Sequence, residues 1–556
     1  MIFIIYLLNV IVEDSGIALG KVTIRPEDRP QEWKEVISTD INGDHLSLVV
    51  DGVKVQFNKY HLYMGNDMNI MIPVKIFPNV FKCAINYVNE TYLQLQKGNT
   101  VVEVQKDSHA IYVNDSSVEL ESGMKVVDGD YYVNSKVLEK GFGYAYNWIA
   151  NESTLQLANS TSENYLPSRY SYGDVGRLPD IKNQGNYSTC WAAAAITAVE
   201  STRMPEEKLS LSVDNMVGNN GYSSSVYEGG DYTQAIAYLT SWKGPVLEAA
   251  DPYGDGIVNR EAEAVIHVQE AQILESKNIE AIKRAVFLQG GVESSLYTSM
   301  SKAGQTSWYY NAKTSAYCYI GTQKPNHDVV IVGWDDNYSK DNFSVPLEAN
   351  GAFICANSWG KEFGENGLFY VSYYDSNIGI HSVAYTGVED EDNYDNIYQS
   401  DLCGWVGQLG YEEDTAWFAN AYTSKKAEEI KAVGFYATGK NTSYEIYVVE
   451  DFTDASSLNK RRLIQSGSFM NAGFYTVDLN TAIKTEAGKK YAVVIKITTP
   501  DEVRPIAIEY RAGKSTKNVI LDDGEGYISY LGRVWENVES SKSCNICLKM
   551  YTNDVK

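Results

Sequence analysis

The chain has 556 residues, of which 44% are hydrophobic and 12% aromatic, enough for several cores, and its length predicts three or four domains. Its formal net charge of −25 argues against nucleic acid or an anionic membrane as partner and suits solubility outside a cell. Seven cysteines, scattered and odd in number, do not make a disulfide scaffold.

Residues 1–20 hold an apolar run, 2–12, that is too short for a stable membrane anchor. No Lys or Arg precedes it and no Ala-x-Ala site follows, so it reads either as a signal-peptide h-region or as a buried strand. Residues 21–160 alternate short β-rich runs with turns from about position 37 onward, around Asp51-Gly52 and before Asn114-Asp115 for example. They contain a faint internal echo. Residues 71–77 lead to Tyr87 and Leu93, and residues 131–138 lead through Gly143-Tyr144 to Trp148 and Leu155. Residues 158–171, rich in Ser, Asn and Thr, read as a linker.

Residues 184–195 read Gln-Gly-Asn-Tyr-Ser-Thr-Cys-Trp-Ala-Ala-Ala-Ala. The turn-forming half cannot be helix or central strand, whereas the Ala-rich half is a strong helix former, so Cys190 is expected at a helix N-terminus. There, unpaired backbone N–H groups and the helix dipole favour an anion, which predicts a lowered thiol pKa and an accessible thiolate. Further on, Asn326-His327-Asp328 precedes the apolar run 329–332, which mounts His327 at the entrance of a buried strand, a rigid place for a base. A second apolar run, 353–356, ends at Asn357, with Trp359 two residues on. An amide that orients an imidazole and an indole that shields their hydrogen bond have this form.

These residues resemble the papain family of cysteine peptidases. Gln184 stands six positions before Cys190, as the oxyanion-hole glutamine does in that family, and Asn326-His327 and 357–360 (Asn-Ser-Trp-Gly) match its other signatures. The resemblance implies Cys190 as nucleophile, His327 as general acid and base, Asn357 as orienting residue and Gln184 as oxyanion donor. It also implies that Gly229 and Gly230 bind the substrate backbone, that Trp359 lies at the cleft, and that Asp328 and Asp231 wall the pocket for the second side chain before the cleaved bond. Two carboxylates there would favour Lys or Arg. The family's disulfide beside the nucleophile is lost at both ends, where Tyr187 and Tyr227 stand. Residues 335–350 form a polar insertion. Residues 251–262 tempt a calcium-loop reading, but Tyr253 and Ala262 occupy positions that need oxygen ligands, so the stretch reads as a turn-rich insertion. No metal or other cofactor is expected.

Beyond the acidic linker 389–395, strand-like runs at 432–437, 444–449, 491–497 and 545–551 suggest a β-sandwich over 396–556. Cys544-x-x-Cys547 is weak both as a redox motif and as a zinc site. The expected architecture is therefore α+β and multidomain. A papain-like two-lobe peptidase at 165–390 is flanked by an N-terminal α+β module resembling the copper amine oxidase N-terminal domain and by a C-terminal β-sandwich resembling a lectin-like domain. The expected activity is that of an extracellular cysteine endopeptidase acting on protein or peptide. The rival readings are a surface adhesin with a non-catalytic papain-like fold and a transpeptidase using the same acyl-enzyme. The resemblance further implies a glycan or surface ligand for the C-terminal domain. One of the eight Asn-x-Ser/Thr sites is Asn186, four residues before Cys190, where a glycan would crowd the cleft, so a bacterial source is expected.

Overall fold

The computed structural model describes residues 46–555, leaving aside 51–52, 56–61, 66–68, 90, 98–99, 115, 128, 150–152, 160–165, 167, 206 and 224. The apolar run at 2–12 lies outside the described residues. The chain divides into two compact units, 1–167 and 168–556.

In the first unit, the two echoing segments lie side by side. Ile70–Pro73 pairs antiparallel with Asp130–Asn134, with Val133 opposite Ile72. Each then runs through short helical turns, 74–81 in one case and Lys136–Phe142 in the other, into antiparallel strands at Ala84–Asn89 and Tyr144–Ile149. A five-stranded meander from Ala84–Asn89 to Ser116–Glu119 continues the first copy. Its strand Tyr92–Lys97 turns Leu93 and Leu95 inward and its glutamines out, the period-two pattern of a half-buried strand.

The second unit is built around a 13-stranded sheet. In spatial order it passes from Tyr310–Asn311 through Ala316–Tyr317, Leu368–Ser372, Ala352–Ala356, His327–Asp335, Val292–Leu296 and Ser382–Asp390 to Ile266–Ile273. It then continues into the C-terminal half through Ala472–Lys484, Glu428–Ala437, Leu548–Asp554 and Asn396–Tyr398. Against its first half packs the helix Cys190–Arg203, in contact with His327–Asp335 and Ser382–Asp390. The run Ala192–Ala195 is fully buried, and its small side chains let the helix backbone approach the sheet closely.

The crossing between the halves is main-chain pairing: Ala271 lies opposite Phe474 and Gln272 opposite Gly473. Gly473 has φ +145°, and a Cβ there would sit 2.1 Å from the Ala271 carbonyl oxygen, so this register admits only glycine. Over the C-terminal half of the sheet lies a six-stranded sheet, Arg462–Phe469 to Glu536–Asn537. The two inner faces interdigitate through Ile430, Phe435 and Val477 on one side and Phe418, Ile446 and Val493 on the other. This is a β-sandwich core, and each such side chain contributes about 2 kcal/mol of apolar burial.

Candidate active site

Cys190 is the first residue of its helix, after Thr189, which has φ −110° and ψ 18° and makes no side-chain cap. The backbone N–H groups of Asp328, Trp191 and Cys190 lie near the sulfur and favour its anion. Asp328 follows His327, the first residue of the strand His327–Asp335, so the thiol faces the start of that strand. Asn357 directly follows the adjacent strand Ala352–Ala356, and its Oδ1 lies 2.8 Å from His327 Nε2, so the ring donates from that nitrogen to the amide. Trp359 stacks on the imidazole, ring centroids 4.8 Å apart and planes at 28°, and Phe363 stands edge-on behind the indole. The His327–Asn357 bond is thereby shut off from water, which strengthens it and fixes the ring.

Gln184 enters from the loop before the helix. Its Oε1 accepts from Ser358 Oγ at 2.7 Å and its Nε2 donates to the Tyr187 carbonyl at 2.7 Å, leaving the second Nε2 hydrogen directed elsewhere. Ser358 belongs to the Asn-Ser-Trp-Gly run, so one short segment holds both the imidazole and the glutamine. Tyr253, from the insertion at 251–262, adds a brace: its hydroxyl donates to the Gln184 carbonyl and contacts Thr189 Oγ1 at 2.6 Å. Asp251 there is bound by Asn215 Nδ2 at 2.7 Å. Among the described residues no group of three or more His, Cys, Asp or Glu could hold a metal ion.

The electrostatics correct one sequence expectation. The helix N-terminus does lower the thiol pKa, but burial, followed by the Asp328 carboxylate, outweighs it and pushes Cys190 up to about 12. Burial likewise pushes His327 down to about 4, against the Asn357 hydrogen bond, which raises it. Each group alone is therefore held neutral. The free anion that the helix dipole alone would favour is thus opposed by burial.

Of the residues expected from the sequence to line a substrate pocket, Gly230 packs on the Trp191 ring, where a Cβ would come within 2.5 Å, and Gly229 lies by Ser188. Asp328 accepts a hydrogen bond from Ser295 Oγ at 2.6 Å, and burial, aided by Asp231 nearby, raises its carboxyl to about 6. Asp231 caps the helix Tyr232–Thr240, accepting from Thr233 N at 2.9 Å. A third carboxyl, Glu293, escapes sequence reasoning. It is fully buried beside these two, accepts from Tyr385 at 2.7 Å, and is held well above the usual carboxylate range by burial and by Asp328. Neither Glu293 nor Tyr253 sits in a recognisable pattern, whereas Ser358 stands inside a motif whose hydroxyl could have been weighed as a partner for Gln184.

The comparisons with known proteins follow the same order along the chain. The copper amine oxidase N-terminal domain matches residues 49–157, the papain family cysteine protease 166–388 and the lectin-like domain 397–552. Bovine (Bos taurus) cathepsin S is 30% identical over 214 residues, 36% of this chain and 59% of that protein, so the chain spans well under two thirds of that relative. Zingipain-2 of Zingiber officinale is 28% identical over 212 residues, 36% of this chain and 86% of that protein. The clostridial cysteine protease Cwp84 after propeptide cleavage is 25% identical, with TM-score 0.62, covering 70% of this chain and 100% of that one. The protease and lectin-like domains of Cwp84, a surface layer associated protein of Clostridium difficile, give TM-score 0.60 at 25% identity, covering 70% of this chain and 89% of that one. Between a copper amine oxidase N-terminal-like module and a lectin-like domain, residues 166–388 thus form a papain family cysteine protease domain.

Proposed function

We propose that the protein is a surface-located, bacterial cysteine endopeptidase in which Cys190 attacks the peptide carbonyl. The observation that carries this reading is the shielded His327–Asn357 hydrogen bond beside the N-terminus of the Cys190 helix. In that frame the Cys190 proton moves to His327 as the sulfur attacks, and His327 returns it to the leaving amine. The Cys190 N–H and the second Nε2 hydrogen of Gln184 are aimed at the oxyanion, and water then resolves the acyl-enzyme. Asn357 orients the imidazole without reacting, so Asn357→Ala is expected to lower kcat by about 10²-fold, less than loss of the nucleophile, in a peptide turnover assay.

The adhesin reading would not require all four positions to be occupied and mutually braced, and this favours the enzyme. Surface location draws on the surface layer association of Cwp84 and on the acidity of the chain. The test is alkylation of the purified protein by an epoxide that traps papain-type thiols, mapped by mass spectrometry. Modification of Cys190 alone among the seven cysteines is expected, and an unmodified Cys190 would remove the enzyme reading.

For specificity, we propose that Asp328 and Asp231, over the buried Glu293, make the pocket for the second side chain before the cleaved bond select Lys or Arg. A carboxyl with its pKa near 6 is neutral at pH 5 and charged at pH 7.5. The preference for Lys over Leu at that position is therefore expected to rise several-fold between these pH values, and to flatten in Asp328→Asn. A Leu preference at pH 7.5 would remove Asp328 from the specificity argument.

For the C-terminal domain we propose a glycan or surface ligand. An open cavity of about 680 Å³ supports this, with Tyr510, Arg511, Asn518, Asp522 and Glu539 among its lining.

A further inference from the structure

We infer that the lectin-like domain is part of the substrate-binding apparatus: its loop at 512–516 positions the segment that carries Gly229 and Gly230, taking over a task that a disulfide beside the nucleophile would otherwise perform. This rests on the peptidase reading.

The segment is held at two ends. Toward the nucleophile, Ser188 N donates to the Val226 carbonyl at 2.8 Å and Tyr187 meets Tyr227 with ring centroids 5.6 Å apart. Tyr227 is 68% exposed, so this ring contact cannot restrain the backbone as a covalent bridge would. Beyond these contacts and the packing of Gly230 on Trp191, restraints come from the C-terminal domain. Tyr222 donates through its hydroxyl to the Cys403 carbonyl at 2.8 Å, and Ser223 N donates to the Ser515 carbonyl at 2.7 Å. Gly221 lies so close under Leu402 that a Cβ would be 2.5 Å from its carbonyl oxygen.

The third tie reaches the residue before Gly229. Glu228 Oε2 accepts from Ser225 N at 2.9 Å, closing its own turn, while Oε1 pairs with Lys514 Nζ at 2.5 Å. Both carboxylate oxygens are thus used, one to shape the turn and one to hold it to the neighbouring domain. The supporting loop is itself braced. Ala512 N donates to Thr516 Oγ1 at 2.8 Å and Arg511 Nε to the Val519 carbonyl at 2.9 Å. A turn fixed from both sides keeps the Gly229–Gly230 backbone ready to receive an extended peptide, whereas a turn held on one side has to be ordered on binding.

The test uses the full chain. Lys514→Glu and Glu228→Lys are each expected to raise KM about two- to fivefold, the range of an exposed ion pair. In both variants kcat and the iodoacetamide alkylation rate of Cys190 should be unchanged. The double charge exchange should recover part of the KM rise seen in Glu228→Lys, since it restores the ion pair but not the bond that Glu228 accepts from Ser225 N. Gly221→Ala, which forces the segment off Leu402, is expected to raise KM about tenfold. The same ranking should hold for the Kd of a fluorescent peptide containing Leu-Lys-Ala-Gly, measured in a Cys190→Ala background. That measurement needs no turnover, so a failure of positioning is told apart from a failure of the peptidase reading. Unchanged KM and Kd in Gly221→Ala and in both charge variants would overturn the inference, as would a fall in kcat or in the alkylation rate equal to the rise in KM.

Discussion

Cys190→Ala is expected to lower peptide turnover on the order of 10⁶-fold while leaving the fold intact. Alanine is a better helix former than cysteine, and the position is the half-buried first turn of an otherwise Ala-lined helix, so secondary structure and melting midpoint should hardly move. The large effect follows from the coupling of the two groups. With the thiol pushed up to about 12 and the imidazole down to about 4, neither ionises alone near neutral pH, and reactivity depends on moving one proton between them. His327→Ala should therefore depress alkylation of Cys190 by iodoacetamide at pH 7 as well as turnover, since it removes the base proposed to take the thiol proton. Unchanged hydrolysis in Cys190→Ala, or rapid alkylation in His327→Ala, would contradict this account.

Lys549→Met is expected to destabilise the 168–556 unit by about 3–5 kcal/mol in chemical denaturation. Lys549 Nζ lies 2.9 Å from Asp401 Oδ1 and 2.7 Å from Gln399 Oε1, and both charged side chains are out of contact with solvent. Burial raises the Asp401 carboxyl, and the Lys549 ammonium opposes that shift by its charge and its hydrogen bond. Removing it leaves a desolvated carboxyl whose Oδ2 already has no partner. Asp401→Asn in the Met background should recover part of the loss, because it removes the unpaired acid. A cost below about 1 kcal/mol for Lys549→Met would mean that the pair is not ionic in the folded protein.

The site was legible in the sequence to the extent that its chemistry is local. Cys190, His327, Asn357 and Trp359 each stand at the junction of a turn with a helix or an apolar strand, and such junctions leave composition signals within five or six residues. Glu293 gave no signal because it lies mid-strand and becomes notable only when the sheet sets Val292–Leu296 against His327–Asp335. Tyr253 was hidden for the opposite reason, since a turn-rich insertion shows that a loop exists but not where it folds back to. The thiol pKa was misjudged because the helix dipole can be read from sequence while the depth of burial cannot. In the C-terminal half the alternating runs revealed strands, but not that Ala472–Lys484 would pair with Ile266–Ile273, nearly two hundred residues earlier.

That pairing has a practical side. A fragment ending at 391–395, just past the strand Ser382–Asp390, would leave Ile266–Ile273 as a raw sheet border, with apolar Val268 and Ala271 along it and backbone donors and acceptors ready to template another copy. The complementary fragment would bare Ala472–Lys484 in the same way. Recombinant halves should thus self-associate or precipitate, and co-expressed halves should find each other instead, reassembling across the Gly473 register.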